Sequence, residues 1–293
     1  NSIFSAFVKN DGGPKLAMLG MLAGSLFNTI FDYIFIFPLG LGIFGAVLAT
    51  VFSPIMGIAV LSLHLIRKKS SFYPVKGGFR LAELRRVLSL GLSSLISEIT
   101  NGIVMIVFNI IILRLAGNAG VAAYGVLANI ILVVIAVYNG IAQGVQPLFG
   151  RFFATNEREK LRLSYRDALI AVGLASALFY FVTMGFPAQI TALFNHENNA
   201  EMQRLAVEGF RLYFSSCFFL GFNLLNIMYF VSTAQDLRSQ ILSLLRGIVL
   251  VLPFLLLFST LFGMTGVWLA MPVSEIAVSL LGVKMLTAKK KQA

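Results

Sequence analysis

Long apolar stretches alternate with short polar connections along all 293 residues. A bilayer's hydrocarbon slab is about 30 Å thick and a helix rises about 1.5 Å per residue, so runs of about 20 apolar residues read as crossing helices. Eight such runs are present, at 16–37, 41–66, 87–115, 119–150, 168–186, 205–232, 241–262 and 266–285. Ahead of them stands an apolar stub, Ile3 to Val8, too short to cross by itself. The chain opens at Asn1, without an initiator Met or a signal peptide, so the stub is expected to be the tail of a helix that starts upstream. The pattern predicts an all-α integral membrane protein, a polytopic helical bundle.

One helix opening occurs twice. Gly42-Ile-Phe-Gly45-Ala-Val-Leu48-Ala49-Thr-Val-Phe-Ser53 returns as Gly263-Met-Thr-Gly266-Val-Trp-Leu269-Ala270-Met-Pro-Val-Ser274, with Gly, Gly, Leu, Ala and Ser at one constant offset. Both copies open very apolar helices, so the repeating unit is a block of spans, and many transporters are built from duplicated blocks. The longest polar connection, broken by Pro74 and Gly77-Gly78, divides the sequence into 1–66, a basic loop 67–86 and 87–293. Six helices follow that loop, and two plus the stub precede it. If six helices make one lobe, the architecture is six plus six with the first lobe truncated. Residues 1–66 then hold the end of helix 4 and helices 5 and 6, residues 87–293 hold helices 7 to 12, and three to four helices belong upstream.

Charge adds an orientation. Lys9 and Lys15 precede the first full span, Arg67 to Arg86 follow the second, Arg151 to Arg166 form a third basic stretch, and Lys289, Lys290 and Lys291 end the chain. The connections between them carry little positive charge, which places the basic side and the C-terminus in the cytoplasm and suggests contact with anionic lipid headgroups. A composition of 58% hydrophobic and 12% charged residues exceeds what one water-soluble core can hide. The net charge of +11 therefore does not signal nucleic acid, whose binders carry Lys and Arg on a polar face. Cys217, the single cysteine, excludes an intrachain disulfide, and neither metal-ligand spacing nor a phosphate loop or nucleophile–base set is present. No enzyme activity, metal or cofactor is expected.

The turn Phe7-Val-Lys9-Asn10-Asp11-Gly12, then Asn28-Thr-Ile-Phe-Asp32, then Gly40-Leu-Gly42-Ile-Phe-Gly45-Ala46-Val-Leu-Ala49-Thr50, together with Leu90-Gly91-Leu-Ser-Ser-Leu-Ile-Ser-Glu98, resembles the multidrug and toxic compound extrusion (MATE) family. The segment Gly140-Ile-Ala-Gln143-Gly144-Val-Gln146-Pro147 is most similar to its bacterial drug-efflux branch. The resemblance covers essentially the whole chain, from the family's fourth helix to its twelfth. It implies two six-helix lobes in a bacterial plasma (inner) membrane. It also implies export of amphipathic, often cationic small molecules in exchange for H⁺ or Na⁺.

Several polar residues lie where oil surrounds them. Glu98 sits close to mid-slab by residue count, and Ser94, Glu98, Asn101, Met105 and Asn109 recur every three or four residues, forming one stripe. Asn129, Asn139, Gln143 and Gln146 make a second stripe on the next helix. Two amide stripes around one carboxylate describe a cavity wall, and helix-to-helix hydrogen bonding is the plainer alternative. The resembled family carries a functional glutamate at the position of Glu98 and an aspartate at that of Asp32, so both are candidate ion-coupling groups. Asp32 has a local alternative, a hydrogen bond with Asn28 one turn earlier. Arg246 and Glu275 fall at similar depths on the last two helices and read as a static ion pair, with ion or substrate binding at Glu275 the minority alternative.

These features together predict a secondary-active exporter working by alternating access, and a monomer is expected. A flippase for lipid-linked oligosaccharides on the same architecture is the nearest alternative and would be expected to show several cationic side chains inside the membrane. An uncoupled channel or receptor is the next.

Overall fold

The computed structural model describes the backbone of residues 2–66 and 81–288, and the side chains within them other than those of residues 10, 81–98, 100, 101 and 288. By their internal contacts the residues fall into two units, Asn1–Arg80 and Leu81–Ala293. All regular structure among the described residues is helical.

The first unit contains α1 (Ser2–Asn10), α2 (Pro14–Ile36) and α3 (Gly42–Ile66). Pro14 occupies the first turn of α2, where its missing N–H leaves no bond unmade. Helices α2 and α3 pack through small residues. A Cβ on Gly20 would lie 2.8 Å from the Leu61 side chain, and one on Gly24 would lie 3.1 Å from the Ser53 carbonyl. The approach lets Ser53 Oγ donate to the Gly24 carbonyl at 2.8 Å. At the far end of α3, His64 Nε2 lies 2.8 Å from Asp11 Oδ2, so the end of α3 is tied to the turn between α1 and α2. The outward faces are apolar, with Ile43 86% and Phe44 65% exposed, as expected of surfaces solvated by lipid tails.

The second unit contains α4 (Leu81–Ala154), α5 (Arg158–Gly185), the short α6 (Pro187–Ala192), α7 (Ala200–Tyr213), α8 (Cys217–Ser232), α9 (Asp236–Leu244) and α10 (Val251–Ala288). A 3₁₀ turn at Phe214–Ser216 joins α7 to α8, making one pass of them, and a π-helical turn at Leu245–Val249 joins α9 to α10. Helix α4 breaks at Gly117 and α10 at Gly263, so each crosses twice. Eight helical passes result among the described residues, as the apolar runs predict. Several helices start earlier than hydropathy suggests: at Leu81 rather than 87, at Arg158 rather than 168 and at Ala200 rather than 205. Hydropathy marks only the length in oil, whereas backbone hydrogen bonding carries the helix on into water. At the 155–157 turn the Lys160 ammonium, followed by the Thr155 hydroxyl, holds the Glu157 carboxyl below the usual carboxylate range.

One device builds three hairpins. Gly42, Gly117 and Gly263 all take positive φ, at 52°, 58° and 58°, which turns the chain at little cost only for glycine. Three residues on, Gly45, Gly120 and Gly266 lie where a side chain would collide with the preceding helix. A Cβ on Gly45 would meet the backbone of Phe35 at 2.9 Å, one on Gly120 would meet Ile112 Cγ2 at 2.9 Å, and one on Gly266 would strike the Phe258 backbone. The sequence shows the first and third copies as a repeat. The middle copy, Gly117-Asn-Ala-Gly120, lacks the Leu, Ala and Ser that follow in the others. Beyond this turn the chain doubles back, and the Phe108 and Tyr124 rings stack at 5.4 Å in the core, with Trp268 6.5 Å from Tyr124. Gly140 and Gly144 are spaced like Gly20 and Gly24, but among the described residues of the second unit a Cβ added to either would meet nothing within 4 Å.

Candidate functional site

Each unit holds a carboxylate in apolar surroundings, and the two are solvated differently. In the first unit, Asp32 stands one turn beyond Asn28 on α2, on a helix whose neighbouring rings Phe27, Phe31 and Phe35 pack on one another, the first pair at 4.0 Å. The return of the chain at Gly42 brings Thr50 of α3 level with Asn28, whose Nδ2 donates to Thr50 Oγ1 at 3.5 Å. Thr50 in turn donates to the Ala46 carbonyl at 3.0 Å. Asn28 is thus engaged across the hairpin, and not with Asp32. The Asp32 Oδ1 atom is buried and has no hydrogen-bond partner. A buried carboxylate oxygen without a donor is costly unless a proton or a cation neutralises it.

In the second unit, Glu275 is fully buried on α10 and completely bonded. Arg246 Nε donates to its Oε1 at 2.7 Å, and Asn223 Nδ2 of α8 donates to its Oε2 at 2.7 Å and to its carbonyl at 2.9 Å. Ser279 Oγ, one turn further along α10, donates to Asn223 Oδ1 at 3.0 Å. Arg246 stands on the π-helical turn Leu245–Val249, in which Leu250 N donates to the Leu245 carbonyl at 3.1 Å, and Pro253 follows in the first turn of α10. Such turns insert one extra residue and re-aim the side chains on them, and they recur at functional sites. Arg246 lines a cavity of about 260 Å³ whose walls include Val104, Ile135, Leu224, Ile227 and Met271, with Ser243 as a further polar group.

The remaining candidates are distributed differently. The side chains of Glu98, Ser94 and Asn101 lie outside the described residues; their backbone is part of α4. Met105 is 55% exposed. Asn109 Nδ2 donates to the Met105 carbonyl at 2.9 Å and Asn129 Nδ2 to the Gly125 carbonyl at 2.8 Å, each within its own helix. Asn139 and Gln146 are half-buried and Gln143 is exposed. Asn223, Ser279 and Ser243 are additions to the sequence reading. Asn223 had a signal, as one of two amides, with Asn226, in the apolar run Cys217 to Phe230, where a membrane helix accepts an amide only with a partner.

Hairpins turned on glycine, apolar outer faces and a carboxylate held inside define a polytopic helical membrane protein with buried charge. The MatE family model matches residues 94–257, more than half of the chain, and the protein belongs to that family. It is 25% identical over 281 residues to the multidrug export protein MepA of Staphylococcus saprophyticus, an alignment covering 95% of this chain and 61% of that protein. The MepA of Staphylococcus haemolyticus is 24% identical over 283 residues, covering 96% and 62%. The chain thus spans somewhat under two thirds of the length of these relatives. Among solved structures, an outward-facing multidrug resistance MATE family transporter of the MOP superfamily superposes with a TM-score of 0.87 at 24% identity, covering 99% of this chain and 66% of that one. That likeness establishes the fold.

Proposed function

We propose that this chain is part of a secondary-active exporter of amphipathic small molecules, coupled to H⁺ or Na⁺ by antiport and working by alternating access. The observation that carries the reading is the unpartnered, buried Oδ1 of Asp32, one helical turn beyond the Asn28 that bonds Thr50. A proton on that oxygen, or a cation shared between it and the amide and hydroxyl oxygens of Asn28 and Thr50, would satisfy an oxygen that the fold leaves without a donor. An ion that binds one arrangement of the protein better than another shifts the balance between them by that difference in affinity, which is all that coupling requires. Glu98 is the second coupling group in this scheme, and the stripe of Asn129, Asn139, Gln143 and Gln146 a wall of the substrate path. The basic connections face the cytoplasm of a bacterial inner membrane.

Membership of the MatE family and likeness to proteins named multidrug export proteins support this reading. A lipid-linked sugar flippase would call for several intramembrane cations, whereas among the described residues the cavity in the second unit offers one, Arg246, already paired with Glu275. The test is ethidium efflux from cells expressing the protein, with and without the proton and sodium gradients. Asp32→Asn is expected to abolish gradient-driven efflux at unchanged expression, and Glu98→Gln to do likewise. Full efflux by Asp32→Asn would remove that residue from the mechanism, and efflux indifferent to both gradients would refute antiport.

A further inference from the structure

The Arg246–Glu275 pair presents only one of its partners to the cavity. Glu275 is fully buried, with one oxygen committed to Arg246 and the other to Asn223. Arg246 is different: its side chain is 18% exposed, it lines the cavity, and it reaches Glu275 through Nε alone. None of the hydrogen bonds among the described residues uses its two terminal nitrogens. A guanidinium is a planar fork of five N–H donors, so four remain after the bond to Glu275.

We infer that this cavity is a binding subsite for a small amphipathic molecule bearing a carboxylate, which docks on the terminal nitrogens of Arg246 while its ring or alkyl part lies against Val104, Ile135 and Ile227. The donor set decides the sign of the ligand. Four unused N–H groups on a cation attract an acceptor and repel an ammonium, and the nearby carboxylate that would attract a cation is sealed away. The lining decides the rest. Apolar walls favour a lipophilic body over a free inorganic anion, and a carboxylate matches the fork with two parallel hydrogen bonds and a single negative charge. Glu275 holds the guanidinium in place and leaves the pair neutral, so a monoanion adds one charge to the site where a phosphate dianion would add two. A cavity of about 260 Å³ seats a ring or a short chain, the head of a larger zwitterionic compound included.

This assigns the acid head of such a ligand to one arginine of the proposed exporter, and it rests on the export reading only for what happens after binding. The test is calorimetric titration of the purified chain in phosphatidylcholine nanodiscs with 2-naphthylacetate and, as the neutral counterpart of the same shape, 2-naphthylacetamide. The acid is expected to bind more tightly by about tenfold or more, the scale of a charge-assisted hydrogen bond. Arg246→Gln combined with Glu275→Gln removes both charges without stranding either, and is expected to level the two affinities. Arg246→Lys keeps the charge, loses the fork and is expected to cut the preference several-fold. Ile135→Trp, filling the cavity, should weaken both ligands. Equal affinity of acid and amide for the unaltered protein, no binding of either, or an acid preference that survives in the double variant would each overturn the assignment. Loss of ethidium efflux with acid binding intact would count against the exporter reading alone.

Discussion

Glu275 has no route to water, and each of its oxygens has a single donor. Removing one member of such a buried pair leaves the other charged and unpaired, at a cost of about 3–5 kcal/mol, whereas removing both is far milder. Glu275→Ala is therefore expected to lower the Tm of the purified protein in detergent sharply, and Arg246→Gln with Glu275→Gln to recover most of that loss. A melting temperature unmoved by Glu275→Ala would mean that the pair contributes nothing to the fold. Asp32 should respond in the opposite way: its Oδ1 has no donor, so Asp32→Asn strands no partner, and its Tm is expected to hold or rise. Counting residues from the helix ends brings Arg246 and Glu275 to one depth. Counting says nothing of Asn223, because an uncharged amide in an apolar run announces a partner without naming it.

At the scale of the element, the glycines separate by what a side chain would meet. Gly117 has φ 58° and ψ −154°, a region essentially closed to other residues, so Gly117→Ala is expected to cost about 1–3 kcal/mol in strain. Gly20→Val must displace Leu61 from 2.8 Å and should likewise destabilise the α2–α3 hairpin. Gly140→Ala, by contrast, enters open space and is expected to be neutral or slightly stabilising, since alanine is the better helix former by about 1 kcal/mol. Thermal melts of the three variants check the ranking; equal losses at Gly20 and Gly140 would contradict the packing described. Spacing alone makes Gly20xxxGly24 and Gly140xxxGly144 look alike. They differ because, among the described residues of each unit, the first pair faces another helix closely and the second does not, and the facing partner is a property of the tertiary fold.

For the whole molecule, two of the long helices cannot cross once. At about 1.5 Å per residue, the 53 residues of Gly102–Ala154 would extend about 80 Å, far beyond a hydrocarbon slab of about 30 Å, and the breaks at Gly117 and Gly263 resolve this as paired crossings. The proposed orientation then makes a concrete prediction. Because Cys217 is buried, it should stay silent towards a membrane-impermeant maleimide. Thr155→Cys should be labelled only in inside-out vesicles and Asn198→Cys only in intact cells or right-side-out vesicles, and the reverse pattern would invert the topology. The all-helical class, the eight passes and two of the three glycine hairpins follow from the sequence by itself, because burial in oil is proportional to apolar length and a left-handed turn demands glycine locally. Which polar groups would meet was decided only by the tertiary structure. Asn28 with Thr50, Asn223 and Arg246 on Glu275, and an oxygen of Asp32 left without a donor all depend on the rotation and depth of neighbouring helices. Those are set by side-chain packing between helices, and no single span encodes them.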